Sequence, residues 1–258
     1  MSTKKSEMSK MEGKMSITKR QEHILDLLNK NGFMTVQQLS EVTFTSPSSI
    51  RRDLTKLQNM YFVKRTHGGV TVLNENDKAI PFDSRLLKNT TAKRKIAKKA
   101  SSLIRDGQII MLDGSSTAGF MIPYIAQHSN ITLYTNNMTT AINAINYGIP
   151  TYCIGGRSVN NSAVLAGPQS YKFVSEIHPD ILFFSSQSID KNGIIYDPTE
   201  EENYLRTLMI ANAKQSVFLC DSEKFNRKSL YNLASIDDID VAVFDTEWNE
   251  LNTKCKIL

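Results

Sequence analysis

The sequence predicts an α/β protein in two parts: a small N-terminal unit of three helices and a basic β-hairpin, then a larger domain with a mainly parallel sheet. Three observations carry that expectation. Positive charge is concentrated in the first 72 residues, three short helical patterns and a hairpin fill the same stretch, and beyond it short strands alternate with helices. With 258 residues, 40% of them hydrophobic, the chain can build cores and is not a disordered polymer. Its longest apolar runs, such as Ile109–Leu112 and Ile181–Phe184, are four residues, against roughly 20 needed to cross a bilayer.

The charge is divided unevenly. Residues 1–72 hold 12 Lys and Arg against 6 Asp and Glu, whereas residues 73–258 hold 19 against 20. A basic module joined to a near-neutral body is the footprint of polyanion binding, because each neutralised phosphate releases condensed counterions. Lys4, Lys5, Lys10 and Lys14 belong to a leader, residues 1–16, that is expected to be disordered and has no apolar stretch to act as a secretory signal. Arg51, Arg52, Lys56, Lys64 and Arg65 instead sit inside patterned sequence. Cys153, Cys220 and Cys255 have no CxxC spacing. Cys153 and Cys220 lie in short apolar runs and are expected to be buried reduced thiols of a cytoplasmic protein, with no disulfide framework, metal or cofactor.

Residues 17–73 form the small unit. Its first helix runs from the cap Thr18 to Asn31, with Ile24, Leu25 and Leu28 as an apolar stripe and Asn31-Gly32 as the stop. Thr35 caps a short second helix carrying Val36, Leu39 and Val42. Ser46-Pro47 opens the third, a cap hydroxyl before a proline at the first helical position. At 100° per residue Ile50, Leu54 and Leu57 fall within roughly 60° of one another. Ser48, Arg52 and Thr55 project almost opposite, flanked by Ser49, Arg51 and Lys56. Such a face suits the major groove, since Arg forks onto guanine or a phosphate and a hydroxyl bonds either. Arg51-Arg52-Asp53 would also fit a solvated face with a local ion pair. Residues 61–72 place two β-branched or aromatic runs around Gly68-Gly69, a hairpin carrying Lys64, Arg65 and His67. Three helices and a basic hairpin describe a winged helix-turn-helix.

The stretch Ser46-Pro47-Ser48-Ser49-Ile50-Arg51-Arg52-Asp53-Leu54, followed by Arg65-Thr66-His67-Gly68-Gly69, resembles the signature of DeoR-type bacterial transcription regulators. Ser49 stands where that family usually has Thr, and Thr45 where it has Val. The resemblance implies that Ser48, Ser49, Arg51, Arg52, Thr55, Lys56, Lys64, Arg65 and His67 face DNA. For His67, hairpin packing is the equal alternative.

Residues 74–92, including the polar stretch Asn74–Lys78, read as a hinge. Residues 93–258 read as an effector-binding and oligomerisation domain. It opens with an amphipathic helix having Ile96, Ala97, Ala100, Leu103 and Ile104 inside and its lysines outside. Strands are expected at Gln108–Leu112, Ile131–Thr135, Thr151–Ile154, Ile181–Phe184, Val217–Cys220 and Val241–Phe244. Helices are expected at Ala118–His128, Met138–Tyr147 and Glu201–Ala213.

Ligands of such sheets bind beyond the carboxyl ends of the strands. Polar clusters fall there: Asp113-Gly114-Ser115-Ser116-Thr117, Thr135-Asn136-Asn137, Gly155-Gly156 and Asp221 to Lys224. A carboxylate and amides suit sugar hydroxyls, while a hydroxyl loop opening a helix, with Lys224, suits a phosphate. Taken singly, the Asp113–Thr117 loop also reads as a helix cap, Gly155-Gly156 as a turn and Lys224 as a solvated side chain. The body further resembles the DeoR-type effector domain, whose fold is similar to ribose-5-phosphate isomerase. That resemblance rests on Lys93-x-x-Ile96-Ala97, Asp113 to Thr117, Thr135-Asn136, Gly155-Gly156, Gly167, Glu202, Met209, Asp221-x-x-Lys224-Phe225 and Asp240 to Asp245. It implies an effector site of Lys93, Asp113, Ser115, Ser116, Thr117, Asn136, Gly155, Gly156, Glu202 and Lys224. Ser115 replaces a family glycine, which would matter if the backbone there needs a positive φ. Ser185-Ser186-Gln187-Ser188 replaces a glycine-rich stretch and would reshape the pocket floor.

The expected function is that of a non-enzymatic DNA-binding regulator, a repressor of a carbohydrate-metabolism operon released by a sugar phosphate. Its partners are double-stranded operator DNA, the sugar phosphate and further copies of itself in a dimer or tetramer, because one helix-turn-helix touches about one half-site. The alternative is a sugar-phosphate isomerase-like enzyme fused to a DNA-binding module, with Asp113, Glu202 and Lys224 as acid and base groups. In a third reading the body only oligomerises.

Overall fold

The computed structural model describes residues 18–59, 62–66, 68–72, 82–160 and 162–258. The basic leader, the polar stretch Asn74–Lys78 and His67 lie outside them. The chain divides into two units, one ending at Lys88 and one starting at Asn89.

The first unit contains helices α1 (Lys19–Asn31), α2 (Val36–Val42) and α3 (Pro47–Asn59), with strands β1 (Phe33–Met34), β2 (Val63–Thr66) and β3 (Gly69–Val72). A further helix, α4, spans Phe82–Leu87. Thr18 and Thr35 are both caps, each closing a reciprocal box with the glutamine three residues on, Gln21 and Gln38. Helices α1, α2 and α3 bury Ile24, Leu28, Leu39, Ile50, Leu54 and Leu57 against Val63 and Val70 of the hairpin. The strands form an antiparallel sheet in the order β1-β3-β2. Gly69 is required by that crossing, since a Cβ there would lie 2.6 Å from the Met34 carbonyl oxygen.

The second unit is built on seven parallel strands in the order β15-β14-β12-β9-β4-β5-β6. These are β4 (Ile109–Leu112), β5 (Thr132–Thr135), β6 (Thr151–Cys153), β9 (Ile181–Phe184), β12 (Ser216–Cys220), β14 (Val241–Phe244) and β15 (Lys256–Ile257). Strands β9, β12 and β14 are buried along their whole length, as expected of a parallel sheet covered on both faces. One face packs on α5 (Thr90–Ala100) through Ile96, Ala97 and Ala100, and on Ala144 of α8 (Met138–Asn146). The other packs on α9 (Pro168–Ser175) and α10 (Glu200–Asn212) through Val174, Leu205 and Met209.

Several expectations are corrected. The single helix over Ala118–His128 is two one-turn pieces, α6 (Ser116–Gly119) and α7 (Ile122–Ile125), separated at Phe120-Met121, with Pro123 in the first turn of the second. Cys153 is exposed, because β6 is the outermost strand and pairs with no further strand among the described residues. Lys93 is buried rather than outside, its ammonium 6.0 Å from the centre of the Phe120 ring. Two antiparallel additions lie beside the main sheet. One pairs β7 (Arg157–Ser158) with β8 (Leu165–Ala166). The other orders β10 (Ser188–Ile189), β11 (Ile194–Asp197) and β13 (Tyr231–Ser235) side by side.

Candidate functional site

In the first unit, α3 turns one face into the core and the other to solvent. Ser48, Arg51, Arg52, Thr55 and Lys56 are exposed on it, with Ser49 half-buried. The turn leading into α3 is tied by hydroxyls: Ser46 Oγ lies 3.1 Å from Ser48 Oγ and donates to Ser49 Oγ at 3.0 Å. The hairpin joins the helix through Arg65, which donates to Thr55 Oγ1 at 2.8 Å and to the Arg51 carbonyl at 3.1 Å. Lys64 is exposed on the same strand. Eight of the nine residues expected to face DNA are described, and the structure gathers them on α3 and β2.

Asp53 does something else. It is 4% exposed and accepts from Arg20 Nε at 2.6 Å and from the buried Gln21 Nε2 at 3.0 Å. The carboxylate therefore joins α3 to α1, and the ion pair it makes is with Arg20 rather than with its neighbours Arg51 and Arg52. Asp53 in turn holds the guanidinium of Arg20 above its ordinary pKa.

In the second unit the strand ends converge as the topology requires. Asp113 follows β4 and accepts from Ser115 N at 3.1 Å and Ser115 Oγ at 2.5 Å. Ser115 has φ −77° and caps α6 by accepting from Ala118 N at 3.2 Å, so no glycine is needed at this position. Ser116 and Thr117 are buried beside it, and Thr117 Oγ1 has no hydrogen-bond partner. Asn136, after β5, donates to the Leu165 carbonyl at 2.8 Å and leaves its own Oδ1 unpaired. Its neighbour Asn137 caps α8 and donates to the Gly114 carbonyl at 3.2 Å. The Gly155 carbonyl accepts from Ser170 Oγ, and Gly156 packs backbone on backbone, a Cβ there sitting 2.7 Å from the Ala166 oxygen.

A buried cluster of charges is the feature that sequence reasoning missed. Arg206, on α10, is buried and donates from Nε to Asp113 at 2.8 Å and from Nη1 to Asp197 at the end of β11. Glu202, one turn earlier on α10, lies 3.8 Å away. Burial opposes the Arg206 charge, but Asp197, Asp113 and Glu202 together hold its pKa above the ordinary value. Burial pushes Asp197 up to about 6 despite the pull of Arg206, with Glu202 and Asp113 adding to the rise. Its only local signal is the Glu202–Arg206 spacing, which reads as a surface pair. Asp113, Gly114, Asn136, Glu202, Leu205, Arg206 and Met209 line a narrow, half-open crevice.

Lys224 lies at the end of β12. Its ammonium donates to Ser185 Oγ at 3.0 Å and to the Ser186 carbonyl at 2.9 Å, and lies 3.7 Å from Asp221. The serines that replace the expected glycines after β9 thus receive this lysine. Asp221 accepts from Asn89 at 3.1 Å.

Comparison with known proteins agrees across both units. A family model described as the DeoR-like helix-turn-helix domain matches residues 20–76, and one described as the DeoR C terminal sensor domain matches residues 88–246. The chain is 34% identical to the L-fucose operon activator of Haemophilus influenzae, covering 88% of this chain and 91% of that one. It is 31% identical to the HTH-type transcriptional regulator GolR of Listeria innocua, covering 90% and 91%. It is 26% identical to the glycerol-3-phosphate regulon repressor of Escherichia coli, covering 90% and 92%. Among solved structures, ribose 5-phosphate isomerase A from Methanocaldococcus jannaschii is 20% identical with a TM-score of 0.40, and the chain spans 55% of its length. No described helix is long and apolar enough to cross a membrane.

Proposed function

This chain belongs to the DeoR family of DNA-binding transcription regulators, and from that premise we propose that it represses a carbohydrate-use operon and leaves its operator when a phosphorylated sugar binds. The observation that carries the reading is the outward face of α3, where Arg51, Arg52, Thr55 and Lys56 stand exposed on a helix whose opposite side is core. Arg52 reads a base edge, and Lys56, Lys64, Arg65 and His67 meet phosphates. In the cytoplasm the protein acts as a homo-oligomer, because a second half-site needs a second copy.

The effector occupies the strand ends of the second unit, and the charges there orient it. Arg206 is surrounded by three carboxylates, so the crevice beside it carries no excess positive charge to hold a phosphate. Asp113, Asn136 and Glu202 instead meet sugar hydroxyls. The phosphate goes toward Lys224, Lys93 and the Ser115–Thr117 loop, whose Thr117 hydroxyl is buried and unpaired. Gly155 and Gly156 shape the rim. The crevice as it stands has room for little more than a water molecule, far less than the 300 Å³ or more usual for ligand pockets, so side chains move on binding. An isomerase reading is disfavoured by the engagement of Asp113 and Glu202 with Arg206, which leaves neither placed as a base.

The test is operator binding by Arg52→Ala. The variant is expected to keep the wild-type circular dichroism spectrum and to lose specific binding in a gel shift. Normal operator affinity with a native spectrum would overturn the assignment.

A further inference from the structure

From Gly114 to Gly156 the chain contains no Asp, Glu, Lys or Arg: 43 consecutive residues in a protein that is 22% charged, where about nine would be expected. Part of this segment is core, but one side of α8 and most of β6 are open to solvent. On α8, Met138, Ile142 and Ile145 are 42%, 60% and 59% exposed, and at 100° per residue they fall within roughly 60° of one another. Ala144, roughly 130° round from the middle of that stripe, packs inward, with Ala141 buried between the two. Strand β6 ends the sheet. It exposes Tyr152, stacked on Tyr134 at 4.7 Å, and Cys153. Phe173 of α9 adds to the tyrosines from the other face of the sheet. The result is an apolar surface that wraps one sheet edge, within a single unit and without a charge from its own segment.

We propose that α8 and the β6 edge form the face on which two copies of this chain pair. The choice of occupant follows from charge. A segment that carries none offers little to DNA or to a strongly charged protein, with Arg157 and Lys172 only at its borders, yet it meets its own image across a two-fold axis without like-charge repulsion at its centre. Depletion of charge with enrichment of aromatic and apolar side chains is also what the centre of a protein interface shows. Thr151, Tyr152 and Cys153 carry nothing to keep a second strand away, whereas the far edge, β15, carries Lys256. Fourteen residues between Met138 and Gly156 reach solvent, about half of the 20–30 residues a side of a standard interface. The need for two reading heads rests on the DNA-binding reading above; the patch itself does not.

The experiment is sedimentation of the full chain over nanomolar to micromolar concentrations, with Ile142→Glu/Ile145→Glu beside wild type. The double variant is expected to keep the native spectrum, since both side chains are more than half exposed, and to sediment at half the wild-type mass, with association weakened roughly 100-fold or more. Leu230→Glu, at an exposed position outside the uncharged segment, should assemble as wild type does. Alkylation of Cys153 in the wild-type protein, followed by mass spectrometry, is expected to slow over the concentrations at which assembly occurs, and this readout stands even if the variant misfolds. Wild-type assembly by the double variant, a monomeric wild type, or Cys153 reactivity indifferent to assembly would each overturn the proposal. An assembled wild type that ignores operator DNA would instead count against the proposed function and leave the pairing face intact.

Discussion

Replacing Asp53 with Ala should loosen the DNA-reading unit from within, even though the residue follows two arginines of the reading face. The carboxylate is 4% exposed and accepts from Gln21, itself 2% exposed, at 3.0 Å. A buried hydrogen bond to a charged acceptor is worth about 1.5–3 kcal/mol, and the stranded Gln21 amide finds no water to replace it. Loss of the Arg20 contact acts in the same direction, but Arg20 is half exposed and solvent already screens it. A loss of about 2–3 kcal/mol is a large share of the roughly 3–8 kcal/mol that a unit of this size holds. Hydrogen exchange of the full chain, read on peptides from α1 and α3, should show protection falling about 30- to 150-fold. Asp53→Asn, which keeps an acceptor without the charge, should fall between. Arg52→Ala should leave protection where it was. Unchanged exchange in Asp53→Ala would refute the reasoning, because it would mean that the bond between α1 and α3 contributes nothing.

Lys224→Ala should bind operator as wild type does but need roughly 10- to 150-fold more sugar phosphate for release, the loss of about 1.5–3 kcal/mol from one charge-assisted bond. Titrated gel shifts measure this, and release of wild type by unphosphorylated sugar would remove the phosphate from the account. Asp197 titrates near 6 in the folded chain against 3.8 for an ordinary Asp, so the native state keeps a proton that the unfolded chain has released. Its contribution to stability is full below about pH 4 and is lost as pH rises through about 6; urea midpoints of wild type should fall across that window relative to Asp197→Asn, and parallel profiles would contradict it. Phe44 has φ 49° and is 97% exposed, so Phe44→Asn should raise the melting temperature by relieving about 0.5–1 kcal/mol of left-handed strain; a fall would show that the ring makes a stabilising contact. Asn137→Ser should keep the cap of α8 and lose the bond to Gly114, leaving operator and sugar-phosphate binding intact while narrowing the effect of one on the other in paired titrations.

What the sequence made legible was whatever depends on near neighbours. The caps Thr18 and Thr35, the opening Ser46-Pro47 and the stripe Ile50, Leu54, Leu57 are each settled within one or two helical turns, and the structure has them as expected. The strands of the parallel sheet were legible because each is a short apolar run flanked by turns. Arg206 was not, since its partners come from three elements and Asp113 lies 93 residues away. Nothing local distinguishes it from a solvated arginine. Cys153 was misjudged for a related reason: apolar neighbours mark a strand, but only the sheet order decides whether that strand has a neighbour on both sides. At Ser115 the expectation turned on a family glycine, and the structure shows a hydroxyl used as a cap instead.

The proposed effector site and the proposed pairing face have a residue in common, and this bears on how release would work. Asn137 caps the helix that carries Met138, Ile142 and Ile145, and the same side chain holds the Gly114 carbonyl in the loop between Asp113 and Ser115. The loop has little room to adjust by itself, because a Cβ at Gly114 would lie 2.7 Å from Val164. A ligand that displaces the loop must therefore stretch the Asn137 bond or carry the start of α8 with it. Each copy bears one reading head, so a change in how two copies pair changes how two heads are offered to two half-sites. A coupling of about 1–3 kcal/mol, typical of such systems, needs no more than one or two bonds of this kind to differ between the liganded and unliganded arrangements. The Asn137→Ser titrations test this path, because a cap that survives while the coupling falls separates the bond to Gly114 from the stability of the helix.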